Sequence, residues 1–144
     1  MLTRWNTWFH SIEYLSEFLP HILDFVKDEK DNQERSELIN SLYDLLEDSY
    51  KYSELKLLVH FYVENAQVFH DLILKLEDSL GNTHITFNIV RNLWNLLRFQ
   101  SFSLDFGENI NNIMIQGNMD QQYWNYEFKN LYKKAWTKLD TMNV

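Results

Sequence analysis

Cysteine is absent from the 144 residues, glycine occurs three times and proline once. Without cysteine there are no disulfides and no thiolate zinc sites, and redox logic says nothing about compartment. Hairpin turns depend on glycine, proline and positive φ, so an all-β fold is excluded on supply alone. No apolar run approaches the ~20 residues of a membrane span. The first 20 residues carry charges and tryptophans where a signal peptide needs an apolar stretch. Gly-rich phosphate loops, a nucleophile elbow and any Ser/His/Asp pattern are likewise missing.

Metal chemistry fares no better. His10, His21, His60, His70 and His84 never fall at the i, i+3 or i, i+4 spacing of a helical ligand pair. The carboxylate pairs Asp28/Glu29, Glu47/Asp48 and Glu77/Asp78 are adjacent in sequence and point to different sides. A two-metal nuclease needs acids converging from several elements on one pocket. These residues imply no enzyme, no catalytic residue, no metal, no cofactor and no small-molecule substrate.

What remains is helical. Hydrophobic residues make up 45% of the chain and aromatics 16%, enough for a packed core in one domain spanning residues 1–144. Apolar residues recur at 3–4 spacing in several segments. The first runs through Trp5, Trp8, Phe9, Ile12, Leu15, Leu19, Ile22 and Val26, with a kink or break predicted near Phe18 to Pro20. Asp28 to Arg35 reads as a solvated connection, Asp31 and Glu34 being placed for a capping box. A second helix buries Leu38, Ile39, Leu42, Leu45 and Leu46 and ends near Asp48. Ser53 precedes a long one with Leu55, Leu58, Tyr62, Ala66, Phe69, Ile73 and Leu76. Gly81-Asn82 stops it, and Thr83 caps a fourth carrying Ile85, Ile89, Leu93 and Leu96. A short helix around Ile110 to Ile115 and a last one from Met119 to about Leu139, with Trp124, Phe128, Leu131, Ala135 and Leu139, complete an all-α bundle of five to six helices.

Charge is uneven. Residues 1–118 hold nine basic and 18 acidic side chains, residues 119–144 four and three, for a net −8. An acidic chain of this kind is a poor autonomous DNA binder, because affinity comes largely from neutralising phosphates. The one basic, aromatic-interleaved stretch is Trp124, Tyr126, Phe128, Tyr132 and Trp136 with Lys129, Lys133, Lys134 and Lys138. Lys133 and Lys134 are its candidate phosphate contacts; the plainer reading is an amphipathic helix with a solvated lysine face.

The heptapeptide Thr3-Arg4-Trp5-Asn6-Thr7-Trp8-Phe9, followed by an aromatic helix, resembles the segment of hAT-superfamily DNA transposases just after their second catalytic Asp block. Leu55 to Phe102 is similar to a helical region of those enzymes in its order of Phe, Leu-rich, acidic, Ile and Leu-Leu positions. Glu77 stands where the family pattern carries Gln. The resemblance covers residues 2–105 and leaves 106–144 as an unassigned helical tail.

The resemblance implies a transposable-element-derived piece of an RNase H-like enzyme, beginning after two of its three catalytic carboxylates and taken from inside a longer frame. In the family this region packs on the catalytic core, positions DNA ends during transposition and takes part in oligomer contacts. The motif Trp handles an extruded base, a role that would fall to Trp5, with Arg4 beside it at phosphate; as isolated residues, Trp5 also reads as core and Arg4 as solvent-facing. The expected function is therefore a catalytically inactive fragment or domesticated derivative, nuclear by resemblance and cytosolic otherwise. It would touch DNA weakly and only within a full transposase. The rival reading is an independent acidic α-helical module for a protein partner or self-association.

Overall fold

Between Pro20 and Gly81 the chain contains neither proline nor glycine, so nothing local opposes long helices there. The computed structural model describes the backbone of residues 2–30, 37–79 and 81–142, and the side chains over 7–29, 37–79 and 81–141. Among these residues six α-helices and no strand are found: α1 (Leu2–Lys30), α2 (Glu37–Glu47), α3 (Ser49–Asp78), α4 (Thr83–Gln100), α5 (Glu108–Gln116) and α6 (Gln121–Met142). The all-α bundle expected from sequence is present. No described helix is long and apolar enough to cross a membrane. The proposed connection and capping box at 31–36 lie outside the described residues.

Three local expectations are corrected. Of the kink or break predicted near Phe18 to Pro20, the break does not occur, since α1 runs through it. Leu19 and Val26 are buried on either side of the proline, so packing across it offsets the lost backbone hydrogen bond, and the ring itself faces outward. The cap of α3 is Asp48, whose carboxylate accepts from the Tyr50 and Lys51 amides at 3.0 Å. Ser53 lies a turn inside and donates back to the Ser49 carbonyl at 2.9 Å. For α4 the cap is Asn82, accepting from the Ile85 amide at 3.2 Å, while Thr83 is the first helical residue. All four residues are competent caps, and the one used is the residue that directly precedes the first helical turn. The turn before it needs Gly81, whose φ of 91° is costly for a residue with a Cβ.

At 1.5 Å per residue α3 spans about 45 Å and is the axis of the molecule. α1 and α2 pack on one side of it and α4 and α5 on another, while α6 packs on α4 and α5. Among the described residues the backbones of α1 and α2 keep clear of α4, α5 and α6. The main core joins α3 to the second group through Leu57, Phe61, Leu97, Phe106, Ile110, Ile113, Met114, Met119, Trp124, Phe128 and Tyr132. Eight of these eleven come from residues 106–144, so the unassigned tail builds the core and is no appendage.

Because α3 is covered from two sides, its buried residues are Leu57, Val59, Phe61, Ala66 and His70. That differs from the single predicted stripe. Tyr62 and Phe69, expected on the buried face, line a gap between the two helix groups instead, while Leu58 packs against the main core. In α2 only Leu46 is buried and Leu38 is 67% exposed. In α6 the buried set is Trp124, Phe128 and Tyr132, with Leu131 and Ala135 turned outward. In α4, Ile89 and Leu97 are buried and Ile85 is not.

Candidate functional site

The gap is a groove. Its floor is α3 (Phe61, Tyr62, Asn65, Ala66 and Phe69), one lip is Trp8 of α1, and the other is Leu131, Tyr132 and Ala135 of α6. It encloses about 330 Å³ and its exposed surface is almost wholly apolar, within the size range of sites that take small ligands or the side chains of a docked helix. Trp8 meets Tyr62 edge-on, the ring centroids 6.3 Å apart. At the base, the Tyr132 hydroxyl donates to Asn65 Oδ1, and Asn65 Nδ2 donates to the Phe61 carbonyl at 2.8 Å. Burial pushes the Tyr132 phenol up from its ordinary value, so it stays a neutral donor. With that pair satisfied internally, the groove offers little beyond apolar surface.

Lys133 and Lys134 sit on the outer face of α6 with Asn130, Thr137, Lys138 and Thr141. The aromatics interleaved with them in sequence point elsewhere: Trp124, Phe128 and Tyr132 into the core, Trp136 toward α4. Of the five rings that sequence proximity suggested for the lysine face, only Tyr126 remains exposed. The backbones of Arg4 and Trp5 belong to the first turn of α1, and their side chains lie outside the described residues.

A basic, aromatic surface does exist, on α4. Phe87, Arg91, Trp94, Arg98 and Phe102 recur at intervals of four, three, four and four, which places them on one side of the helix and its exit turn. The Arg98 guanidinium lies 5.4 Å from the centre of the Trp94 ring, and Trp94 Nε1 donates to Asp140 of α6 at 3.1 Å. Trp94 and Phe102 both contact Trp136, at 5.9 and 6.3 Å between centroids. The missed signal was compositional: residues 79–104 contain no Asp or Glu. Residues of α4 and α6 carry six basic side chains against two acidic, the rest of the chain seven against nineteen.

Two histidines read as unrelated also come together. His70 of α3 is buried and stacked on Phe9 of α1, ring centroids 4.5 Å apart, and His10 meets it edge-on at 5.8 Å. Among the described residues no group of three or more metal-ligating side chains forms. His60 is held below its ordinary value by burial, with Lys56 lowering it further and Glu64 opposing. Its contribution to stability is complete above the ordinary histidine value of 6.5 and is lost as pH falls from there through the lower folded value. We therefore expect the urea midpoint to fall between pH 7.5 and 5.5 less steeply for His60→Asn than for the wild type; equal slopes contradict the assignment.

No protein-family model, curated protein or solved structure matches the chain.

Proposed function

We propose that this chain is a non-catalytic helical module that binds the apolar face of a partner helix in the groove between α1 and α6. The observation that carries the reading is the displaced stripe of α3. Tyr62, Ala66 and Phe69 have the spacing of a buried face and line the groove, yet Tyr62 and Trp8 remain exposed beside an apolar channel. A helix laid there would give that stripe the cover its periodicity anticipates. Lys134 and Lys138 follow Leu131 by three and seven positions on the α6 side, which favours an acidic flank on the partner. The transposase resemblance supplies an ancestry for such a module, a helical region whose work is to dock on other parts of an assembly. A continuous reading frame upstream, encoding a BED-type zinc finger and two catalytic Asp blocks, is the genomic observation that supports that ancestry.

The binding test uses a synthetic amphipathic helical peptide with leucines on one face and glutamates beside them. We expect it to bind at tens of micromolar, roughly −6 kcal/mol, and to shift the Trp8 indole N–H resonance. Leu131→Glu, on the exposed lip, should weaken it at least about tenfold by placing charge in an apolar lining. A peptide with lysine in place of glutamate should bind less well. Binding that leaves Trp8 unmoved, or that survives Leu131→Glu, removes the groove from consideration.

A further inference from the structure

The α4 stripe has a counterpart on the same molecule. On α1, Tyr14, Phe18, His21 and Phe25 recur at intervals of four, three and four. This side is turned away from the residues that α1 buries (Phe9, Leu19 and Val26), and Tyr14 and Phe25 are 61% and 57% exposed. The Tyr14 and Phe18 ring centroids lie 4.5 Å apart with the planes tilted by 36°, and Phe18 approaches His21 at 6.1 Å. Glu13, Glu17, Asp24 and Asp28 border the stripe, and all four are exposed. Two separate rows of large rings, one among acids and one among arginines, are thus left open to solvent. Phe87 and Phe102 at the ends of the α4 row are 63% and 69% exposed.

The rows match in register as well as in sign. Glu17 and Asp24 are seven residues apart, as are Arg91 and Arg98, a spacing of about 10 Å along a helix. Two helices crossing at the shallow angle common in bundles keep such positions opposite one another over two turns. Exposed ion pairs contribute little by themselves, but here each pair flanks rings that would be covered in the same contact, which is where the affinity would come from. Both faces cannot meet within one chain, because α1 and α4 lie on different sides of α3 and do not approach.

We infer that copies of this chain associate head to tail, the Phe87/Arg91/Trp94/Arg98/Phe102 face of one seated on the Tyr14/Phe18/Phe25 face of the next. The contact uses different surfaces on the two partners, so it does not close on itself as a two-fold dimer does and permits further addition at each end. It is independent of the groove, since none of these side chains lines it. A polyanion such as single-stranded nucleic acid is the weaker candidate for the α4 face. The chain is net −8, and the Asp140 carboxylate stands within the row, bound to Trp94.

The experiment is sedimentation velocity on the full chain across a concentration series in low salt. The expected wild-type result is a weight-average mass rising past the dimer, reversed at 0.5 M NaCl, where screening shortens to a few ångströms. Arg91→Glu with Arg98→Glu should weaken association about tenfold or more, as should Glu17→Lys with Asp24→Lys. All four sites are solvent-exposed, and unchanged circular dichroism establishes that each variant folds. The deciding arm mixes the two double variants: one pairing of faces keeps its native charges and the other has them exchanged on both sides, so the mixture should regain the association past the dimer that neither variant shows alone. Three results overturn the inference: a wild type that stays monomeric to millimolar concentration, association that only one of the two double variants weakens, or association that neither affects. A monomeric chain that instead binds a single-stranded oligonucleotide, and loses it with the arginine reversal, assigns the α4 face to nucleic acid.

Discussion

A chain ending at Asp105 is expected to unfold without a cooperative transition and to bind the dye ANS, while keeping much of its helical circular dichroism. The cut removes Phe106, Ile110, Ile113, Met114, Met119, Trp124, Phe128 and Tyr132, leaving Leu57, Phe61 and Leu97 of the main core facing water. At 1.5–3 kcal/mol for each large apolar side chain, losing these eight amounts to about 12–24 kcal/mol, which reaches or exceeds the ~5–15 kcal/mol by which a whole domain is stable. What survives is the α1–α2–α3 side, where Phe9, Leu19, Val26, Leu46, Val59 and Ala66 are still mutually covered. Retained secondary structure with lost fixed packing is the signature of such a state. The stretch expected from sequence to be transposase-like ends at residue 105, so the experiment also asks whether that limit is a physical boundary. A truncated chain that melts sharply, with a urea slope suited to its length, would make 2–105 a folding unit of its own.

Helix existence was legible because it depends on local supply. With glycine and proline so scarce and apolar residues at 3–4 spacing, each long segment had one available conformation. Helix ends were less legible where two capping residues stood close together. Asp48 and Ser53, or Asn82 and Thr83, are all competent caps, and the choice between them follows from where the preceding helix runs out of partners. Pro20 does not break α1 for a related reason. A proline costs a helix about 3 kcal/mol, but buried Leu19 and Val26 on one continuous face offset that, and only the packed molecule reveals it.

Burial was the least legible quantity. Periodicity identifies an apolar face without saying whether anything covers it, and a helix packed from two directions buries residues that no single stripe contains. Thus Leu57, Val59 and Phe61, close neighbours in sequence, are all buried in α3, while the expected face at Tyr62 and Phe69 became the groove. The same blindness hid the α4 row: once Ile85, Ile89 and Leu93 had been assigned to the core, the rings on the other side looked incidental. The absence of acidic residues from 79 to 104 was visible throughout. It acquires meaning only when α6, with its four lysines, packs alongside.

Phe128→Ala should be the most damaging single substitution in the molecule. The side chain has no exposed surface. Its ring lies parallel to Phe61 with 3.8 Å between centroids and 6° between planes, and Phe106 and Trp124 close around it at 5.6 and 5.9 Å. Alanine removes those contacts and leaves a cavity where an α6 ring stacks flat on an α3 ring. Buried Phe→Ala changes cost about 3–5 kcal/mol, which for a domain near this size lowers Tm by roughly 6–20 °C. The loss should appear as a lower urea midpoint with an unchanged slope if the rest of the fold persists. Tyr126→Ala, two residues earlier on the exposed side of the same helix, should stay within about 0.5 kcal/mol of the wild type. A second consequence tests the coupling between core and groove. One turn on from Phe128, Tyr132 and its bond to Asn65 form the groove base, so Phe128→Ala should also shift the Trp8 and Tyr132 resonances in the folded protein. A destabilisation below about 1 kcal/mol, with both resonances unmoved, would mean that Phe61 and Phe128 do not stack as described.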